Sequence, residues 1–201
     1  TCALPILSSH LTSRYIVGFP TVSNQLPTAL KVAVLGKEAQ KLASTLGTPL
    51  ARLEEADVAI FIVSAHDGIA RAEIDQWHIA RELYIPSIVV ISETDSADLD
   101  FDDMSAIAGK MLDPVLVRYL VIYSESGEAV GLLDLATLKL LDYSTGIAHL
   151  LDSDDEHKEL AEPFKIEYEE MMEGMENGAF EAALLFPALP WFEGKALGLD
   201  Q

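Results

Sequence analysis

Two glycines sit where an apolar segment could hand a phosphate group to the backbone. Gly18 lies near the end of Arg14–Phe19 (RYIVGF) and is trailed five residues later by Ser23, Asn24 and Gln25. Gly36 follows Lys31–Leu35 (KVAVL) and is trailed by Lys41, Leu42 and Ala43. A working phosphate loop needs Gly-x4-Gly-Lys-Ser/Thr: the glycines aim N–H groups at phosphate, the lysine neutralises it, and the hydroxyl holds Mg²⁺. Neither place supplies the Gly-Lys-Ser/Thr triplet, so both also read as ordinary strand-to-loop turns. The acidic run Asp152, Asp154, Asp155, Glu156, His157 suggests Ca²⁺. An EF-hand, however, needs Gly sixth and Glu twelfth, where His157 and Pro163 stand. The run is expected to be a solvated loop capping the next helix. His66 and His78 have no cysteine or histidine at zinc spacing, and no G-x-S-x-G elbow supports a serine hydrolase.

The elements around these residues alternate. Val58–Val63 (VAIFIV) and Ser87–Ile91 (SIVVI) are continuous apolar runs, as expected of parallel strands covered on both faces. Helices are expected over Lys37–Leu46, briefly over Leu50–Glu55, and around Ile74, Trp77 and Ala80, which share one face. Ser96 or Asp98 is expected to cap a helix with the stripe Met104, Ile107, Ala108, Met111. This β-α-β-α order predicts an α/β fold with right-handed crossovers. After Pro114, Tyr119–Tyr123, Ala129–Leu133 and Leu138–Asp142 read as an antiparallel meander. A helix follows with Phe164, Tyr168, Met171, Met172 and Met175 on its apolar face, ended by Asn177-Gly178. A buried strand is expected over Phe180–Phe186.

Composition narrows the function classes. Thirty-three acidic residues against 13 basic give a formal charge of −20. Wrapping of a nucleic-acid backbone, which needs a basic face, is therefore not expected, whereas a basic protein partner fits. No apolar run reaches the roughly 20 residues of a membrane span. The single cysteine, Cys2, excludes a disulfide framework and fits a reducing, cytoplasmic setting. The chain starts without Met and ends in WFEGKALGLDQ, so a longer natural protein is expected.

The stretch Ala56–Asp95, an apolar strand, a Gly turn, an amphipathic helix and a second strand, resembles the G domain of translational GTPases of the elongation factor G type. Gly131-Leu132-Leu133-Asp134-Leu135 resembles the inserted lobe's "G-V-V-D-L" pattern, and FPALPWFEGKALGLDQ resembles the last core strand, the Ser-Ala-Leu loop and the closing helix. The resemblance runs from about Lys31 to Gln201. It implies a P-loop-GTPase-like, mostly parallel sheet flanked by helices, formed by residues 1–113 and 180–201. It also implies a small α+β lobe at 114–179. GTP or GDP with Mg²⁺ would be the cofactors, and the ribosome or its stalk the partner in translation elongation.

Residue by residue, the family chemistry is eroded. The guanine motif Asn-Lys-x-Asp becomes Ser92, Glu93, Thr94, Asp95, in which Asp95 keeps the base-reading carboxylate's position and Ser92 that of the Asn. Gly18 is the preferred remnant of the phosphate loop. Gly36-Lys37-Glu38-Ala39-Gln40 stands in place of Asp-Thr-Pro-Gly-His, with a glycine at the Mg²⁺ aspartate and Gln40 at the water-orienting position. Ser-Ala-Leu becomes Pro187, Ala188, Leu189. The combination implies a pseudo-GTPase with weak or no nucleotide binding; the alternative is a non-catalytic interaction scaffold on the same fold.

Overall fold

The computed structural model describes residues 30–47, 49–94 and 99–192. Gly18, Asp95, the expected strand at 14–19 and the candidate caps Ser96 and Asp98 lie outside them. In chain order the elements are β1 (Val32–Leu35), α1 (Ala39–Leu46), a 3₁₀ turn (Leu53–Glu55), β2 (Val58–Ser64), α2 (Arg71–Glu82), β3 (Ser87–Ser92) and α3 (Phe101–Met111). Then come β4 (Leu116–Val117), β5 (Tyr119–Tyr123), β6 (Ala129–Asp134), β7 (Lys139–Asp142), β8 (His149–Asp152), α4 (Asp155–Met172) and β9 (Pro187–Trp191).

Two sheets result. The first has the order β1-β2-β3-β9-β4 with every pair parallel. The second is the meander β5-β6-β7-β8, antiparallel throughout. The change of sheet falls at Arg118, one residue after β4. Arg118 is tied there by two hydrogen bonds, 3.1 and 2.8 Å, to the Asp134 carboxylate at the end of β6. Direct pairing of β1 with β2, from Val32↔Val58 to Leu35↔Phe61, leaves no room for another strand between them.

The alternation of strand side chains builds two layers. Val32, Val34, Ile60, Ile62 and Val90 face Leu42 and Ala43 of α1. Ala33, Phe61, Val63, Val89 and Ile91 face the other way, into a core shared with α2, α3 and the second sheet's Val121, Leu132 and Tyr143. Trp77 lies at the centre of that core with no exposed surface. Its ring stands edge-on to Phe61 at 4.9 Å and Phe186 at 5.1 Å, and its indole N–H donates to Asp113 at 2.8 Å. The apolar face expected around Trp77 and Ala80 is thus the one buried. On α3, Met104 and Ala108 are buried but Met111, on the last turn, is 41% exposed.

Four expectations need correction. α4 ends at Met172, with Glu173 extended, so Met175 and Asn177-Gly178 lie beyond the helix they were expected to line and end. Asp100 is the cap of α3, its carboxylate accepting the Asp103 N–H at 2.9 Å. The acidic run is mostly helix: Asp154 accepts the His157 N–H at 2.8 Å and α4 begins at Asp155, while β8, with all four residues exposed and so no alternation to read, precedes it. Phe180–Phe186 is not a strand. Ala182 N–H bonds to Gly178 C=O at 2.9 Å and Leu184 N–H to Ala179 C=O at 2.8 Å, a helical turn, and β9 starts only at Pro187. Two prolines hide β9 in the sequence. Leu116 N–H bonds to Phe186 C=O, so Phe186, Ala188 and Pro190 turn their backbone groups toward β4. Because β4 stops opposite Ala188, the N–H that Pro190 lacks costs no rung.

Candidate site at the carboxyl edge of the parallel sheet

Open α/β sheets bind ligands at the carboxyl ends of their strands. Here β1 ends at Gly36–Glu38, β2 at Ser64–Gly68 and β3 at Ser92–Thr94, and the register Leu35↔Phe61 and Ser64↔Ser92 sets the three loops side by side.

Side chains tie the loops together. Ser64 is the hub. Its hydroxyl accepts the N–H groups of His66 (3.2 Å) and Asp67 (3.0 Å) and donates to the Glu93 carboxylate. Lys37 reaches across from the β1 loop to form an ion pair with Asp67. The Asp67 carboxylate, bonded to Lys37 and then to His66, is held below its usual pKa, and Lys37, bonded to Asp67, is raised. Glu93 and Glu38 also lie within electrostatic reach of Lys37. Glu93 takes a left-handed backbone, φ 61°, which a non-glycine residue rarely adopts.

Gly36 closes the β1 side. Its φ is 111°, and a Cβ built on it would lie 2.4 Å from the Ile62 carbonyl oxygen. This position therefore excludes any side chain, an aspartate included.

Behind the β3 loop lies a buried polar group. Among the described residues Ser92 Oγ, Ser105 Oγ and Asp102 Oδ1 are buried without a hydrogen-bond partner. Asp102 is on the first turn of α3. Burial, then the neighbouring Asp100 and Asp103, pushes its carboxyl up to about 7. Burial likewise raises the Tyr123 hydroxyl, which faces Thr94 and the start of α3.

The residues singled out from the sequence fall unevenly on this edge. Ser92 is the last residue of β3, 2% exposed, with Ser64 and Trp191 as its strand neighbours. Gln40 is exposed on the first turn of α1, where its carbonyl accepts the Ser44 hydroxyl at 2.7 Å. Ala188 is a correction. It is fully buried inside β9, opposite Val89 and Val117, and in no loop that a ligand at the carboxyl edge could touch. The misplacement follows from starting the last strand seven residues early. Lys37 and Glu93 were met in the sequence only as motif positions and Ser64 and Asp67 not at all, because the bonds that unite them join positions about thirty residues apart. The only signal was that each follows an apolar run.

These residues do not fit a magnesium–nucleoside triphosphate. Gly36, which the resemblance would put in the metal aspartate's place, must stay glycine. The one lysine at the β1 loop is already paired, and the adjoining carboxylates Asp67 and Glu93 repel phosphate. Among the described residues no group of three or more His, Cys, Asp or Glu could hold a metal ion.

The fold and this edge define an α/β protein with a mostly parallel five-stranded sheet flanked by helices and a second, antiparallel sheet. No family model matches the chain. No curated protein matches it either. Among solved structures it is similar to the crystal structure of ttk003000868 from Thermus thermophilus, with a TM-score of 0.58 and 26% identity over 70% of this chain. The chain spans 24% of that protein's length. Among the described residues no helix is long and apolar enough to cross a membrane.

Proposed function

We propose that this chain is a degenerate G domain of the elongation factor G type, a pseudo-GTPase that binds GTP weakly or not at all and acts by holding a protein partner, with a ribosome-linked role in elongation. The observation that carries the reading is the cross-tied carboxyl edge. Lys37–Asp67 and Ser64–Glu93 fill with internal bonds the loops where the resemblance would put the switch motif (Gly36-Lys37-Glu38) and the guanine motif (Ser92-Glu93-Thr94). The element order, with an antiparallel lobe set between β4 and the last core strand β9, supports the family assignment. Loss of several charge-assisted contacts, each worth about 1.5–3 kcal/mol, takes a sub-micromolar nucleotide site toward millimolar. Hydrolysis suffers more, because phosphoryl transfer depends on the metal and on positioned charge.

Sedimentation of the chain with purified ribosomes tests the partner. Co-sedimentation without added nucleotide, unchanged by GTP, is expected. A chain that stays in the supernatant at micromolar ribosome concentration removes the ribosomal role and leaves the interaction scaffold.

A further inference from the structure

Strand β8 forms the outer edge of the antiparallel sheet, with a neighbour only on its β7 side among the described residues. The register fixes which backbone groups line that edge. Tyr143 N–H bonds to Val130 C=O at 2.7 Å, so Tyr143, Leu141 and Lys139 turn their backbone groups toward β6. Leu140 and Asp142 therefore turn theirs toward β8, where they meet Leu151 and His149. The N–H and C=O groups of Leu150 and Asp152 face outward.

Side chains make this edge adhesive rather than guarded. Leu150 is 64% and Leu151 45% exposed, one on each face of the sheet, and Ile147 in the preceding hairpin loop is 68% exposed. Edge strands are usually blunted by lysine, proline or a bulge. β8 has no lysine or proline, and its pairing with β7 runs without a shift.

Charge says what fits there. Residues 114–179 hold fifteen Asp and Glu against four Lys and Arg. At the end of β8 the side chains of Asp152 and Asp155 are 87% and 98% exposed. The pairing of β7 with β8 is itself a template: Leu140 stands opposite Leu151, and Lys139 forms an ion pair with Asp152. A second copy of the chain would bring another formal charge of −20 against this edge.

We propose that the β8 edge receives an extended, lysine- or arginine-rich segment of a protein partner as an added strand. Its backbone pairs with Leu150 and Asp152, its apolar residue covers Leu150, and its cations meet Asp152, Asp154 and Asp155. The proposal stands whether or not the parallel sheet binds nucleotide or the chain meets a ribosome.

A short labelled synthetic peptide alternating lysine and valine, titrated into the full chain by fluorescence anisotropy, is the test. Leu150→Pro removes only an outward N–H, so the β7 ladder should survive, with an unchanged far-ultraviolet dichroism spectrum. Micromolar binding weakened at least about tenfold in Leu150→Pro is expected. Leu150→Lys keeps the backbone donor but adds a like charge to the peptide's, and should weaken binding as well. Absence of binding, or equal binding by both variants, overturns strand addition. A wild-type dimer in sedimentation equilibrium that both variants abolish overturns the choice of partner in favour of a second copy.

Discussion

Gly36→Asp is expected to destabilise the fold by about 3–5 kcal/mol and to create no Mg²⁺ site. The substitution places an aspartate where the resemblance to a GTPase switch would put one, so it separates a merely mutated site from a remodelled one. At φ 111° a side chain carries backbone strain of about 1–3 kcal/mol. The 2.4 Å approach of a Cβ to the Ile62 carbonyl adds an overpacking penalty of about 1–3 kcal/mol, because main chain of a central strand cannot swing aside like a flexible side chain. Gly36→Ala should lose nearly as much, since the clash belongs to Cβ and not to the carboxylate. Urea denaturation of both variants, with Mg²⁺ titrated into the aspartate form, measures this. An alanine variant within about 0.5 kcal/mol of the parent would show that β1 can move away from β2 and that the edge is open to repair.

Asp102→Asn is expected to stabilise the protein by about 2–4 kcal/mol at pH 8 and hardly at all at pH 4. The Asp102 carboxyl is pushed up to about 7 in the folded chain and titrates near 3.9 once unfolded. Below the unfolded value both states keep the proton, and the group adds nothing. Between about pH 4 and 7 the unfolded chain loses its proton first, so stability falls as pH rises. Above 7 the full penalty of holding a buried carboxylate remains. A shift of about three units corresponds to roughly 4 kcal/mol, reduced by the favourable field of the α3 N-terminus, about 0.3–1 kcal/mol. Denaturation midpoints of parent and variant across this pH range give the answer. An equal offset at pH 4 and pH 8 would mean that Asp102 stays ionised and solvated, and that the polar group behind β3 is wetter than its burial implies.

What the residues themselves disclosed follows from the range of the forces involved. Continuous apolar runs such as Val58–Val63 and Ser87–Ile91 are local, and they placed β2 and β3 within a residue of their ends. The helical face of Trp77 and Ala80 was legible for the same reason. β9 was not, because Pro187 and Pro190 argue against a strand unless one knows that β4 ends opposite Ala188. The ties across the carboxyl edge were hidden more deeply. Lys37 and Asp67 are ordinary surface residues in one dimension, and only the parallel register brings them into contact. Gly36 could be named as an oddity, a glycine where a metal ligand would be expected, but its left-handed φ and the Ile62 carbonyl that forbids any other residue belong to the packed sheet alone.

Calorimetric titration of GDP, GTP and ATP into the chain, with and without Mg²⁺ and with Asp95→Ala beside it, tests the central claim most directly. A cross-tied edge predicts no saturable heat below about 1 mM for any of the three, and identical traces for parent and variant. Guanine-specific binding tighter than about 100 μM, roughly 5.5 kcal/mol, abolished by Asp95→Ala, would contradict it and restore a nucleotide-sensing site.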